Sequence, residues 1–200
     1  VPMANRPEID RWIISLLNSL IKEVDESYND YEPTRAGRAI SNFVNDHLSN
    51  WYVRLNRKRF WGGTLTEDKL AAYQTLYTCL DTISRLMAPI SPFYADRLFL
   101  DLNSATGCDS SESVHLSDFP KADESLIDKV LEERMQLAQD ISSMTLSLRK
   151  KENIKVRQPL QQIMVPVSSE REKENIDAVK DLIMNEVNVK DIELITDTTG

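Results

Sequence analysis

Asn50-Trp51-Tyr52-Val53-Arg54-Leu55-Asn56-Arg57-Lys58-Arg59-Phe60-Trp61 reads as the end of a long helix, aromatic where it faces its neighbours and densely basic where it does not. No Asp or Glu occurs between Asp46 and Glu67, so the charges of Arg54, Arg57, Lys58 and Arg59 are not cancelled along the chain. In a sequence of formal net charge -8 this is a local reversal of sign, the kind of surface that receives a polyanion. Upstream, Ala36, Ala39, Ile40, Phe43, Val44, His47, Leu48, Trp51, Tyr52 and Leu55 keep a helical period. The spacing therefore predicts one helix from about Pro33 to Phe60, roughly 40 Å long. Gly37 inside it costs about 1 kcal/mol relative to alanine, which a close helix approach would offset. Gly62 and Gly63 are expected to end it with the positive φ that helix C-termini commonly use.

The flanking segments supply partners for that helix. Trp12, Ile13, Leu16, Leu17, Leu20, Ile21, Val24 and Tyr28 mark one face of a first helix over 8–28, with Glu8 and Asp10 near the positive end of its dipole. Asn29-Asp30-Tyr31-Glu32-Pro33 is turn chemistry. Thr64 or Thr66 caps a third helix carrying Leu70, Tyr73, Leu76, Tyr77, Leu80, Ile83, Ser84 and Met87 on one side and stopping before Pro89. Ser91-Pro92 restarts a shorter helix expected to bury Phe93, Tyr94, Leu98 and Leu102. Residues 103–122 have no helical period and read as a surface connection tacked down by Val114, Leu116 and Phe119. A fifth helix is expected from about Asp123 to Lys150, with Leu126, Ile127, Val130, Leu131, Leu137, Ala138, Ile141, Met144, Thr145 and Leu148 inward.

After Arg149-Lys150-Lys151 the character changes. Ile163-Met164-Val165-Pro166-Val167 reads as a strand, 170–186 as an amphipathic helix, and 189–195 alternates like a second strand. The fold class is mainly α, a helical bundle over 1–158 followed over 159–200 by the start of a small, incomplete α/β unit. Val1 in place of Met, and the polar tail Thr198-Thr199-Gly200, suggest a piece of a longer protein.

Composition excludes several classes. No apolar run approaches the ~20 residues that span a bilayer, and no secretory pattern opens the chain; with its two isolated cysteines a reducing, cytoplasmic setting is expected, and the chain is expected to be a monomer. Cys79 and Cys108 are far apart, without His at ligand spacing, so no disulfide framework or metal site is expected. No glycine-rich phosphate loop, nucleophile elbow or Ser-His-Asp set is present. His47, in a helical stripe, and His115, between apolar neighbours, read as packing residues. Catalytic residues are therefore not expected here.

Arg54 and Lys58 are four apart, with Arg57 between them around the helix, so together with Arg59 they are expected to form one patch at a bundle tip. Guanidinium groups there would bind phosphates and stack on bases. The same residues would equally suit solvated side chains paired with acids of neighbouring helices. Trp51 and Tyr52 fall on the apolar stripe, whereas Trp61 and Phe60 are the candidates for a stacking platform. Arg35 and Arg38 would lie some 25 to 35 Å away and form only a separate region. Lys155 and Arg157 belong to a second basic cluster with Arg149, Lys150 and Lys151, candidates for contact with an RNA phosphate backbone, against the default expectation of a charged linker.

Asp10-Arg11-Trp12-Ile13, Tyr31-Glu32-Pro33-Thr34-Arg35-Ala36 and Ser49-Asn50-Trp51-Tyr52-Val53-Arg54, continuing to Arg59-Phe60-Trp61, resemble class I isoleucyl-tRNA synthetases. So do Met87-Ala88-Pro89-Ile90-Ser91-Pro92-Phe93, Glu112-Ser113-Val114-His115-Leu116 and Lys155-Val156-Arg157-Gln158-Pro159-Leu160, in that family's order along almost the whole chain. Valyl and leucyl enzymes share the Asp-x-Trp-Ile and Ala-Pro-x-x-Pro-Phe patterns, and the Ser-Asn-Trp-Tyr-Val-Arg run points to isoleucine. The resemblance implies an anticodon-binding domain for the tRNA(Ile) stem-loop, attached to a catalytic domain of the same polypeptide. The His-Ile-Gly-His and Lys-Met-Ser-Lys-Ser signatures are absent, so ATP and Mg are implied only for the parent enzyme. That parent would form isoleucyl-adenylate and esterify tRNA. The tail resembles the longer, eukaryote-like branch. The alternatives are a valyl or leucyl anticodon domain, or a helical protein-interaction bundle meeting an acidic partner.

Overall fold

A computed structural model describes residues 1–196, and the polar tail Thr198-Thr199-Gly200 lies outside the described residues. The chain is mainly α and divides into two compact units, Val1–Asp128 and Lys129–Gly200. That division falls earlier than the change of sequence character near Gln158. Backbone amides of Asp123 and Asp128 donate to Asn18 and Ser15 of the first helix (2.8 Å each), which ties the connection up to Asp128 into the first unit. The long helix beyond it packs instead on the two helices of the α/β segment.

In the first unit, α1 (Glu8–Asn29) buries Trp12, Ile13, Leu17, Leu20, Ile21 and Val24, as its apolar spacing requires. Pro33 opens α2 (Pro33–Asn42) at a position where its missing N–H is no loss. The predicted continuous α-helix does not follow. Residues Phe43–Val53 form a π-helix, whose i→i+5 bonds put more residues into each turn. The rod then breaks at Asn56 (φ -94°, ψ 11°) before the short α3 (Arg57–Trp61). Asn56 holds the break by donating from Nδ2 to the Tyr52 carbonyl (2.7 Å). Gly62 is extended (φ -64°, ψ 151°), not left-handed as expected. Gly37 does sit against a neighbour, since a β-carbon there would meet Ile90 Cδ1 at 3.4 Å, an ordinary contact distance.

α4 (Glu67–Met87) starts where predicted, with the Thr66 hydroxyl accepting from the Lys69 amide (3.1 Å). α5 (Pro92–Thr106) ends at Gly107, whose φ of 61° is the left-handed cap that its lack of Cβ permits. The inward face of α5 is rotated from expectation. Phe93 is 91% exposed and Tyr94 is exposed, while Ala95 and Phe99 are buried. Two anchors set the rotation. Asp96 accepts from the Ser113 hydroxyl (2.7 Å) and the Val114 amide (2.9 Å), and the Arg85 guanidinium lies 5.0 Å from the Phe99 ring centroid. α5 runs on through residues 103–106, which lack an apolar period, and the connection after Gly107 is fastened by buried Val114 and by Phe119 edge-on to Tyr28 (6.1 Å), with Leu116 exposed.

Asp109 pins the same connection. Hydrogen bonds from Ser111, and then from Arg85 at 2.8 Å, hold its carboxyl down at about 2. A carboxyl depressed on folding contributes stability that is complete above the unfolded value of about 3.9 and is lost as pH falls through the folded one. A carboxyl-carbon NMR titration is expected to place the Asp109 midpoint well below that ordinary value; a midpoint near about 3.9 contradicts the pin.

In the second unit, α6 (Lys129–Lys151) begins later than expected because Glu124–Leu126 is a single 3-10 turn capped by Asp123. It buries Leu131, Met135, Ala138 and Ile141, while Val130, Met144 and Leu148, expected inward, are exposed. β1 (Ile163–Val167) pairs in parallel with β2 (Ile192–Thr196), Ile163 opposite Ile192 and Val167 opposite Thr196. The crossover is two helices, α7 (Glu170–Ala178) and α8 (Lys180–Val187), broken at Val179 (φ -113°, ψ 11°) where one was predicted.

Candidate nucleic-acid interface

The basic segment lies where the end of the π-helix, α3 and the first turns of α1 and α4 meet. Arg59, expected on the cationic surface, is instead turned inward. Its Nη1 donates to Asp10 Oδ1 (2.7 Å) and Asn56 Oδ1 (2.9 Å), its Nη2 to Asp10 Oδ2 (2.9 Å), and its Nε to Asp68 Oδ2 (2.9 Å). Bidentate pairing of this kind is geometrically specific. Hydrogen bonding to Asp10 pushes the guanidinium further up from its ordinary value against the opposing effect of burial. Tyr52 completes the group by donating to Asp10 Oδ1 (2.8 Å), and its phenol is pushed far up, chiefly by burial and then by the Asp10 charge. Asp10 comes from 49 residues away and Asp68 from just beyond the acid-free stretch, in the first turn of α4, which is how a stretch free of acids still finds two.

The other cations stay outside. Arg54 is exposed and folds its Nε onto the Asn50 carbonyl (2.6 Å). Arg57 and Lys58 are exposed, and among the described residues no carboxylate pairs with either. The break at Asn56 means that Arg54 and Lys58 are not two positions on one continuous α-helix, as the spacing argument assumed. Trp61, the last residue of α3, is 84% exposed. Phe60 is not part of a platform; it is buried, edge-on to Tyr52 (6.3 Å) and Tyr73 (5.5 Å). Tyr73 donates to the Phe60 carbonyl (3.0 Å), and Lys69 Nζ donates to the Gly62 carbonyl, so the backbone beneath Trp61 is held on both sides. An indole face with two unpaired cations beside it in the chain can stack a base and meet phosphates.

The remaining candidates are elsewhere. Arg35 faces Asp30 at 3.9 Å, and Arg35 and Arg38 line a cleft of about 450 Å³ together with Glu23 and Glu32. Those two carboxylates dilute the positive charge there. His47 packs edge-on against Trp12 (6.1 Å), whereas His115, expected to pack, is exposed. Lys155 and Arg157 belong to the second unit, on the turn between α6 and β1. Among the described residues no group of three His, Cys, Asp or Glu side chains is placed to hold a metal, and no helix is long and apolar enough to cross a membrane. The residues that sequence reasoning missed are Asp10, Asp68 and Asn56. Their signal was present but ambiguous, since an acid in a first helical turn is also what the helix dipole favours.

Residues 10–165 match the family model described as the anticodon-binding domain of tRNA ligase. The whole chain is 70% identical to an isoleucine–tRNA ligase of Bacteroides thetaiotaomicron, covering 17% of that protein. It is 60% identical to those of Porphyromonas gingivalis and Cytophaga hutchinsonii, covering 17% and 18% of them. The chain thus spans less than a fifth of the length of these curated relatives. With a match running through both the basic segment and the acids that organise it, this chain belongs to the anticodon-binding domain family of tRNA ligases.

Proposed function

We propose that this chain is the part of a cytoplasmic isoleucine–tRNA ligase that grips the anticodon stem-loop of tRNA(Ile), so that the acceptor end reaches a catalytic domain elsewhere in the polypeptide. ATP and Mg act in that catalytic domain. The observation that carries the reading is the exposed Trp61 beside unpaired Arg57 and Lys58, on a tip whose third cation, Arg59, is neutralised internally. Unstacked loop bases offer faces to the indole and edges to guanidinium groups, and phosphates set the register.

Arg57→Glu with Lys58→Glu in the full-length ligase tests it. The double variant is expected to bind tRNA(Ile) more weakly, with a slope of log K against log salt reduced by about two. Isoleucine activation measured without tRNA stays unchanged. Unaltered tRNA affinity and slope would show that these cations do not meet the RNA.

A further inference from the structure

Arg149 is 2% exposed, yet among the described residues no carboxylate pairs with it. A buried guanidinium is costly unless polar groups surround it. Here backbone carbonyls do so. Its Nη1 donates to Lys155 O (3.3 Å) and Gln158 O (3.0 Å) and its Nη2 to Asn188 O (2.9 Å), while its Nε has no acceptor. Asn188, left-handed at φ 53°, sends its Nδ2 to Val156 O (2.8 Å). The carbonyls of Lys155, Val156 and Gln158 are therefore all drawn to one side, toward Arg149 and Asn188.

A trans peptide points its N–H opposite its C=O. With the Lys155 and Val156 carbonyls turned in, the amides of Val156 and Arg157 face the other way, and Pro159 has no N–H to compete. Lys155 and Arg157 are exposed, and Lys150 and Lys151 lie exposed in the last turn of α6, with Glu152 the acid between them and the turn. The turn is fixed, since Ile154 N bonds Arg149 O (2.8 Å), Gln158 N bonds Lys155 O (2.9 Å), and Leu160 joins Val189 in a parallel bridge. A turn whose carbonyls are engaged inward and which carries two exposed cations leaves amide and side-chain donors for an oxyanion.

We propose that this turn is a second RNA contact, taking a backbone phosphate of the bound tRNA rather than a base. It rests on the reading of the chain as a tRNA-binding domain, and it adds a site in the other unit. The turn offers no exposed aromatic ring for stacking, so its contribution is independent of sequence.

The test is Lys155→Ala with Arg157→Ala in the full-length ligase, binding measured across a potassium chloride series. The variant is expected to bind tRNA(Ile) and a non-cognate tRNA more weakly by the same factor, with a salt slope lower by up to about two. Isoleucine activation without tRNA is expected to be unchanged. Unaltered affinity and slope overturn the proposal; if the Arg57, Lys58 variant is weakened in the same series, the proposed function stands without it. A loss confined to tRNA(Ile) also overturns it, because a phosphate contact does not discriminate. In a second arm, inorganic phosphate is titrated onto wild type and variant. Phosphate binding that the variant loses, with tRNA affinity untouched, assigns the turn to free phosphate and overturns the RNA contact.

Discussion

Asp10→Ala is expected to destabilise the first unit by about 3–5 kcal/mol, the usual range for removing one partner of a buried ion pair. Asp10 is 0% exposed and receives both Nη atoms of Arg59 and the Tyr52 hydroxyl. Its loss leaves a guanidinium with a 16% exposed side chain short of its main counter-charge, and a buried phenol without its charged acceptor. Arg59→Met should cost a similar amount, because it strands the carboxylate instead. The pair Asp10→Leu, Arg59→Met should recover much of both losses, since well-packed apolar replacements of buried ion pairs are often neutral or stabilising. Trp12, Trp51 and Trp61 all lie in the first unit, so tryptophan fluorescence in a urea titration follows that unit alone. Single-variant costs below about 1 kcal/mol would mean that the pair is solvated like an ordinary surface bridge.

Trp61→Ala is expected to do the opposite. At 84% exposure the indole contributes little packing, and surface substitutions of this kind usually stay within about 0.5 kcal/mol in stability. Affinity of the full-length ligase for tRNA(Ile) should fall by roughly 1–3 kcal/mol if one base stacks on it. Trp61→Phe should restore a good part of that, because stacking needs a π-face more than it needs an indole nitrogen. The urea midpoint and the tRNA dissociation constant, measured on the same variants, separate the two roles. A stability loss with unchanged RNA affinity would make Trp61 a packing residue.

These two predictions concern residues two apart that the sequence presented as alike. The apolar face of α1, the Thr66 cap, the breaks at Pro33 and Pro89 and the strand-helix-strand order were legible because each rests on local chemistry or simple periodicity; the face of α4 was not, since Leu70 and Tyr73 are exposed and the smaller Ala71, Ala72, Thr75 and Cys79 are buried. The fate of Arg59 was not, since whether a cation is paired depends on acids that the fold brings from far along the chain. The absence of Asp and Glu between Asp46 and Glu67 described linear neighbours, while Asp10 and Asp68 were the spatial ones. The orientation of α5 was misread for a related reason. Phe93 is a better hydrophobe than Ala95, but the tether from Asp96 to the Ser113–Val114 turn and the seat of Phe99 beneath Arg85 set which side faces in. Arg149 was read as one more member of a basic run, and only burial shows that it organises the turn bearing Lys155 and Arg157.

The π-helical stretch Phe43–Val53 has a bearing on how this segment tolerates change. Each residue of an α-helix advances the chain by about 100° around its axis, so the phase at which the polypeptide leaves Val53 fixes which of three successive cations, Arg57, Lys58 or Arg59, looks toward Asp10. Substitutions inside the stretch leave that phase alone, whereas deleting one of its residues would turn the tip by about a quarter revolution. Arg59 would swing out, a neighbour would swing in, and the indole would be aimed at the wrong place. The number of residues in this stretch therefore matters alongside the buried Tyr52 within it in keeping Arg59 in register with Asp10.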